Sequence, residues 1–227
     1  MEIWIVNQHN TPPNVGHHNR HFYIAKYLSR MGHHVNLFIG SKVHNSDLQL
    51  ISGREKYISK KSYGFMLNIV RTLDYKGSRI KRILAMLQFY FNTKKAVRHL
   101  TKPDVIIGSS PHPLSVLFAI RFSKKFSCLS VAEIRDLWPE SLLTYGVVRK
   151  GNPLLKLMYL GEKFLYSRAH VVVFTMEGGL QYITDKRFNQ TKPFRVETSK
   201  IYCVNNGVDI VEYDHNKVNH IFFDSRF

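Results

Sequence analysis

Apolar positions along this chain recur with two periods in turn, and the alternation predicts a succession of strands and helices. Residues 2–6 (EIWIV) form an apolar run that predicts a strand, and residues 7–18 (NQHNTPPNVGHH), rich in Pro and Asn, predict a loop. From Asn19 the period lengthens. Phe22, Ile24, Ala25, Tyr27 and Leu28 fall on one helical face, Met31-Gly32 closes it, and residues 34–39 (HVNLFI) resume as a strand. Residues 41–75 mix polar positions with short apolar pieces and predict one strand amid irregular chain. Over residues 77–102, Ile80, Ile83, Leu84, Leu87, Tyr90, Phe91, Val97 and Leu100 keep helical spacing until Pro103. Residues 104–108 (DVIIG) predict a buried strand. A helix is expected over 114–126, a strand over 128–134, a helix over 153–167, a strand over 169–174 and a shorter helix over 178–184. Residues 185–199 read as an exposed basic loop and residues 200–204 as a last strand. This order predicts an α/β fold, a Rossmann-like parallel sheet with helices on both faces. Residues 210–227 join no predicted element, and Ile221-Phe222-Phe223 is an apolar knot that has to dock somewhere.

In open α/β sheets ligands bind beyond the carboxyl ends of the strands, so polar residues just after apolar runs are the first candidates for chemistry. The stretch 131–142 (VAEIRDLWPESL) ends a strand on Arg135, Asp136, Trp138 and Glu140. Those residues line a crevice or, on the competing reading, merely cap a helix and cover core. His112 stands between Pro111 and Pro113, after a strand and before a helix N-terminus, where a presented ring suits a phosphate or a sugar hydroxyl. The competing reading is a loop residue held by nearby carbonyls. His17, His18 and His21 lack an HExxH pattern or cysteine partners, so no metal is expected. The first loop has Gly16 alone, without the three spaced glycines of a dinucleotide site, and neither a P-loop nor a G-x-S-x-G elbow occurs. No cofactor is expected.

Charge widens the range of partners. The 227 residues carry 33 Lys plus Arg against 16 Asp plus Glu, a net +17, which calls for a polyanion. No acidic residue lies between Asp74 and Asp104, where Arg79, Lys81, Arg82, Lys94, Lys95 and Arg98 are interleaved with large apolar residues. That pattern suits an amphipathic helix on an anionic membrane surface. A solvated face and nucleic acid compete with it, but the aromatics follow a helix and no nucleic-acid signature accompanies them, so nucleic acid is not expected. Cys128 and Cys203 sit far apart in apolar runs, as reduced core thiols of a cytosolic protein do. Neither a signal peptide nor an apolar run long enough to span a bilayer is expected.

Four segments in order carry a family resemblance: PPNVGHHNRHFYIAKYL running into RMGHHV, then PDVIIGSSPHPLS, EIRDLWPESL and VNNGVD. Together they resemble the N-terminal half of family 4 glycosyltransferases of the GT-B fold, the type found in bacterial surface-polysaccharide assembly. The resemblance implies that residues 1–209 form the acceptor-side domain, one half of a GT-B architecture, and that 210–227 stand where a donor domain would begin. It implies a retaining transfer from a nucleotide sugar, held by a second Rossmann-like domain, to a lipid-linked or saccharide acceptor. Carried over by position, His112 and Asp136 become catalytic candidates, and Gly16, His17, Arg135 and Ser110 substrate-binding ones. The protein would then work at the cytoplasmic face of the cell membrane, as a peripheral protein. Departures accompany the likeness: Asn14-Val15 stand where relatives carry more glycine, Asn205 where proline is common, and the family's paired-glutamate donor motif has no counterpart. A missing donor site, a donor domain on a separate polypeptide, a non-catalytic binding module and a truncated remnant are the expectations this leaves open.

Overall fold

The computed structural model describes residues 1–219. The strands are β1 (Glu2–Val6), β2 (His34–Gly40), β3 (Tyr57–Ser62), β4 (Phe65–Val70), β5 (Val105–Ser109), β6 (Leu129–Ile134), β7 (Val171–Phe174) and β8 (Ile201–Cys203). They form one sheet in the order β3-β4-β2-β1-β5-β6-β7-β8, parallel throughout except for the β3–β4 pair. The helices are α1 (Arg20–Arg30), α2 (Arg79–Ala96), α3 (Pro113–Phe126), α4 (Glu140–Thr144), α5 (Pro153–Arg168), α6 (Gly179–Asp185) and α7 (Ile210–Asn219).

Strand periodicity explains the layers. On β1, Ile3 and Ile5 turn to one face and join Phe22 and Ala25 of α1, while Trp4 and Val6 turn to the other, against Phe89 of α2 and Phe118 of α3. A further apolar cluster ties α3 and α5 to β6 and β7 through Ile120, Leu165, Ile134 and Phe174. Helices therefore cover both faces of a Rossmann-like sheet, with α1 on one side and α2, α3 and α5 on the other. A Cβ at Gly108 of β5 would stand 2.4 Å from the Ser115 carbonyl oxygen, so only glycine lets α3 lie this close to the strand. Neighbouring β1 and β5 send the chain outward in opposite directions, and the loops after them open a crevice at the carboxyl ends.

Three expectations change. Residues 41–75 hold two strands rather than one, because β3 and β4 form a hairpin in which Ser62 pairs with Phe65. Its two-residue turn, Tyr63-Gly64, takes φ of 47° and 91°, the conformation that Asn-Gly or Asp-Gly usually announces and Tyr conceals. As the edge strand, β3 exposes Lys60 and Lys61, which blunt pairing with another chain. Residues 210–219 form α7 and dock on α1: Lys26 Nζ meets Asp209 at 2.6 Å, and the Tyr23 hydroxyl donates to Glu212 at 2.8 Å. The Ile221-Phe222-Phe223 knot lies outside the described residues. Cys203 is exposed and Cys128 half-buried, so neither is a core thiol, although both are free. Among the described residues no helix is long and apolar enough to cross a membrane.

Candidate functional site

A single buried carboxylate gathers all four sequence segments. Glu133, on β6, is 4% exposed. His21 Nε2 lies 2.5 Å from its Oε2, Arg20 Nε donates to its Oε1 at 3.0 Å, and the Ser109 hydroxyl donates to Oε2 at 2.7 Å. Arg20 then reaches the last segment, donating from Nη2 to the Val204 carbonyl at 2.9 Å and from Nη1 to that of Asn205 at 2.9 Å. Asn7, after β1, contacts His21 Nδ1 at 2.9 Å. The first turn of α1, the end of β5, the end of β6 and the loop after β8 thus share one polar network. Burial by itself would raise the Glu133 carboxyl, but the charges of His21 and Arg20 and the hydrogen bonds outweigh it and hold the group far below the usual carboxylate range. Sequence reading passed over Glu133 because it sits in an apolar run. Yet a lone acid inside a buried strand always requires partners, and Arg20 and His21 stood ready in a helix start without acids.

Beside this network lies a cluster of histidines from the loops after β1, β2 and β5. The His9 ring is 5.2 Å from that of His44 and 5.7 Å from that of His112, and His18 lies 6.0 Å from His44. Burial, with the like charges of His112, His44 and Arg135, keeps His9 well below the ordinary imidazole range. His44 and His18 are lowered as well, each first by burial. His112 is not presented as its flanking prolines suggest: it is 1% exposed, packs on Phe89 and accepts or donates at 3.3 Å with Ser115. Burial pushes its ring down to about 3, so it is neutral at pH 7, and its Nδ1 has no partner among the described residues.

The remaining candidates divide between two clefts that flank the loop after β6. His17 and Arg135 line a cleft of about 780 Å³ with Asn206, Gly207 and Asp209. Ser110 and Asp136 line a groove of about 420 Å³ between α3 and α5. Ser110 Oγ accepts the backbone N–H of Arg135 at 2.8 Å, so this serine fixes the loop from which Arg135 and Asp136 diverge. Both residues act on His18 from opposite signs. Gly16 is half-buried, and a Cβ there would meet the Thr11 hydroxyl at 3.0 Å. His17 is exposed and His21 buried, so they diverge rather than pair, and among the described residues no group of three or more His, Cys, Asp or Glu is arranged to hold a metal. Glu140 does not face the crevice: it pairs with Lys186 at 2.6 Å and accepts from the Tyr159 hydroxyl.

The basic helix turns its apolar stripe outward. Ile80, Ile83, Leu84, Leu87 and Phe91 are exposed, by 72%, 59%, 46%, 39% and 55%, whereas Ala85, Phe89, Asn92 and Thr93 face the core. Arg79, Lys81, Lys94 and Arg98 are exposed around the stripe and Lys95 is half-buried. Arg82 is exposed as well and lies over the Tyr75 ring, 5.7 Å from its centre.

A family model described as Glycosyltransferase Family 4 matches residues 16–212. Among solved structures, the sucrose-phosphate synthase of Thermosynechococcus elongatus superposes with a TM-score of 0.59 at 15% identity, over 97% of this chain and 53% of that one. The catalytic domain of starch synthase IV from Arabidopsis thaliana, bound to ADP and acarbose, gives 0.59 at 11% identity, over 93% of this chain and 52% of that one. Anabaena HepE in complex with UDP gives 0.50 at 12% identity, over 96% and 49%. The chain spans about half the length of each, and at these identities the likeness is one of fold. A search of curated protein sequences returned no match.

Proposed function

The chain belongs to Glycosyltransferase Family 4, and from that premise we propose that residues 1–209 form the acceptor-side domain of a retaining glycosyltransferase of surface-polysaccharide assembly. The observation that carries this reading is the convergence of four loop segments on Glu133 at the carboxyl ends of the strands, where open α/β sheets bind their ligands. The nucleotide sugar is assigned to a second Rossmann-like domain, reached through residues 210–227, on the same polypeptide or on a partner. Solved relatives hold UDP or ADP, which supports a nucleotide-sugar donor.

In this assignment the exposed Asp136 carboxylate receives the acceptor hydroxyl and can take up its proton, while Arg135 forks onto a phosphate. His17 lines the same cleft as Arg135, Gly16 precedes it in the loop after β1, and Ser110 holds the loop after β6. His112, neutral and buried, supports the site from beneath through His9. Titrating the purified protein with a polyprenyl-diphosphate-linked sugar is expected to show saturable binding, weakened about tenfold, or about 1.4 kcal/mol, in Asp136→Asn and in Arg135→Ala. Neither variant should lower the melting temperature, because neither side chain is buried. Affinity unchanged in both removes the acceptor assignment, and turnover of UDP- or ADP-sugars by the chain alone removes the assignment of the donor to a second domain.

The outward stripe of α2, ringed by Arg79, Lys81, Lys94 and Lys95, supports docking at the inner membrane face on anionic lipid, each cation near the surface contributing about 1 kcal/mol. Flotation with phosphatidylglycerol vesicles is expected to carry the protein up, and vesicles of phosphatidylcholine alone to leave most of it below. The double variant Ile83→Ser, Leu87→Ser should stay at the bottom while melting normally. Equal flotation of the variant, or indifference to lipid charge, contradicts this reading.

A further inference from the structure

α3 packs between α2 and α5, and the α3–α5 junction is not closed. The groove of about 420 Å³ between them has walls of Leu114 and Leu117 from α3 and Met158 and Leu165 from α5, with Trp138 at its head. Its polar groups lie mainly at its two ends. Ser110 and Asp136 mark the end at the strand tips, and exposed Arg121 marks the other, about 12 Å along α3 from Pro113 at helical rise. Glu162 also lines it, but both its carboxyl oxygens are taken by the Tyr166 and Tyr182 hydroxyls at 2.7 Å.

Gly161 points to an occupant. It sits in the middle of α5, where glycine weakens a helix, and a Cβ built on it meets nothing within 4 Å. No close contact with the protein requires this glycine; its effect is to leave the groove wide. Arg121 at its far end is exposed, and α5 beside the groove exposes Leu154, Leu157 and Leu160. These lie on the side of the sheet that carries the apolar stripe of α2. A groove of this kind, apolar along its length, with polar groups at its ends and joined to Asp136 at its head, fits an amphiphile.

We propose that the α3–α5 groove holds the aliphatic chain of a lipid-linked acceptor, with the head group at Ser110 and Asp136 and the chain running toward Arg121. The inference rests on the acceptor-side reading above and specifies its substrate class as a lipid, not a free sugar.

The test is fluorescence titration of the full chain with cis-parinaric acid, kept monomeric, and its displacement by farnesyl phosphate. Wild type is expected to bind saturably and to be displaced. Gly161→Phe and Leu117→Trp, which fill the groove, should each weaken binding at least tenfold, with the Gly161→Phe melting temperature no lower than that of wild type. Gly161→Ala should stay within twofold. Absence of saturable binding in the wild type, or undiminished affinity in both filled variants, overturns the groove. No donor sugar enters this assay, so the proposal fails separately from the transfer reading: a protein that binds a water-soluble saccharide through Asp136 but no aliphatic chain keeps the latter and loses the former.

Discussion

Replacing Glu133 by alanine is expected to cost about 3–5 kcal/mol of folding stability, the usual penalty for removing one partner of a buried ionic cluster. The side chains left behind are His21, 1% exposed, and Arg20, 12% exposed, and neither has another carboxylate in its hydrogen-bond set. Damage should spread beyond the strand, because Arg20 carries the tie to the loop after β8. Amide exchange at Val204 and Asn206 is therefore expected to speed up in the variant along with the loss of stability. The pH dependence follows from the direction of the Glu133 shift. Its carboxyl is far more acidic folded than its ordinary 4.5, so the folded state binds fewer protons than the unfolded one below that value. The stabilisation is present above about pH 4.5 and drains away as pH falls further. Glu133→Gln should show lower stability at pH 7 and a shallower acid limb than wild type. Urea melts between pH 7 and pH 3 decide it; an alanine variant within about 1 kcal/mol of wild type, or parallel acid limbs in wild type and the glutamine variant, would show that the cluster is ornamental.

The helices of the central layer and all strands but the edge pair were legible because burial writes a period into the sequence. Trp4 and Val6 on one face of β1, and Ile3 and Ile5 on the other, are positions that a sheet covered on both sides demands. The edge hairpin was hidden for the converse reason: β3 is mostly exposed, and its turn uses Tyr63 where the common signal is Asn or Asp. For the site, the rule that polar residues after apolar runs stand at strand ends puts Ser110 directly after β5 and Arg135 and Asp136 directly after β6, as the strands run. It did not show that Arg135 and Asp136 open onto different clefts, because neighbouring residues in a loop diverge by backbone angles that no spacing encodes. His112 was misjudged for a related reason. Prolines on either side restrict a backbone but do not say whether the ring turns to water or to Phe89. The stripe on α2 shows the limit of periodicity in the other direction, since Ile80, Ile83 and Leu87 follow the core pattern perfectly and face solvent. Periodicity identifies an apolar face, and only packing tells what covers it.

The second large effect belongs to the other buried acid, Glu162, and it runs opposite to the first. Burial between α5 and α6 raises this carboxyl to about 8, although the Tyr166 and Tyr182 hydroxyls and the more distant Lys186 pull it down and Glu140 pushes it up. A folded value above the ordinary 4.5 means that the folded state holds its proton longer than the unfolded one. The stabilisation is complete below pH 4.5 and is lost as pH climbs to about 8, by up to about 5 kcal/mol for a gap of that size. Glu162→Gln keeps a neutral, hydrogen-bonding group of the same shape and removes the titration. The variant is expected to match wild type near pH 5 and to exceed it by several kcal/mol near pH 9, and the difference between the two profiles cancels every other group that titrates. Because Glu162 lines the α3–α5 groove, its ionisation should also make that floor hostile to an aliphatic chain. Parinaric acid binding by wild type is thus expected to weaken between pH 7 and pH 9 while Glu162→Gln holds its affinity, a comparison made on one probe and one concentration of protein. Parallel stability profiles would mean that the two tyrosines keep Glu162 ionised after all, and the groove would then carry a buried negative charge at its centre.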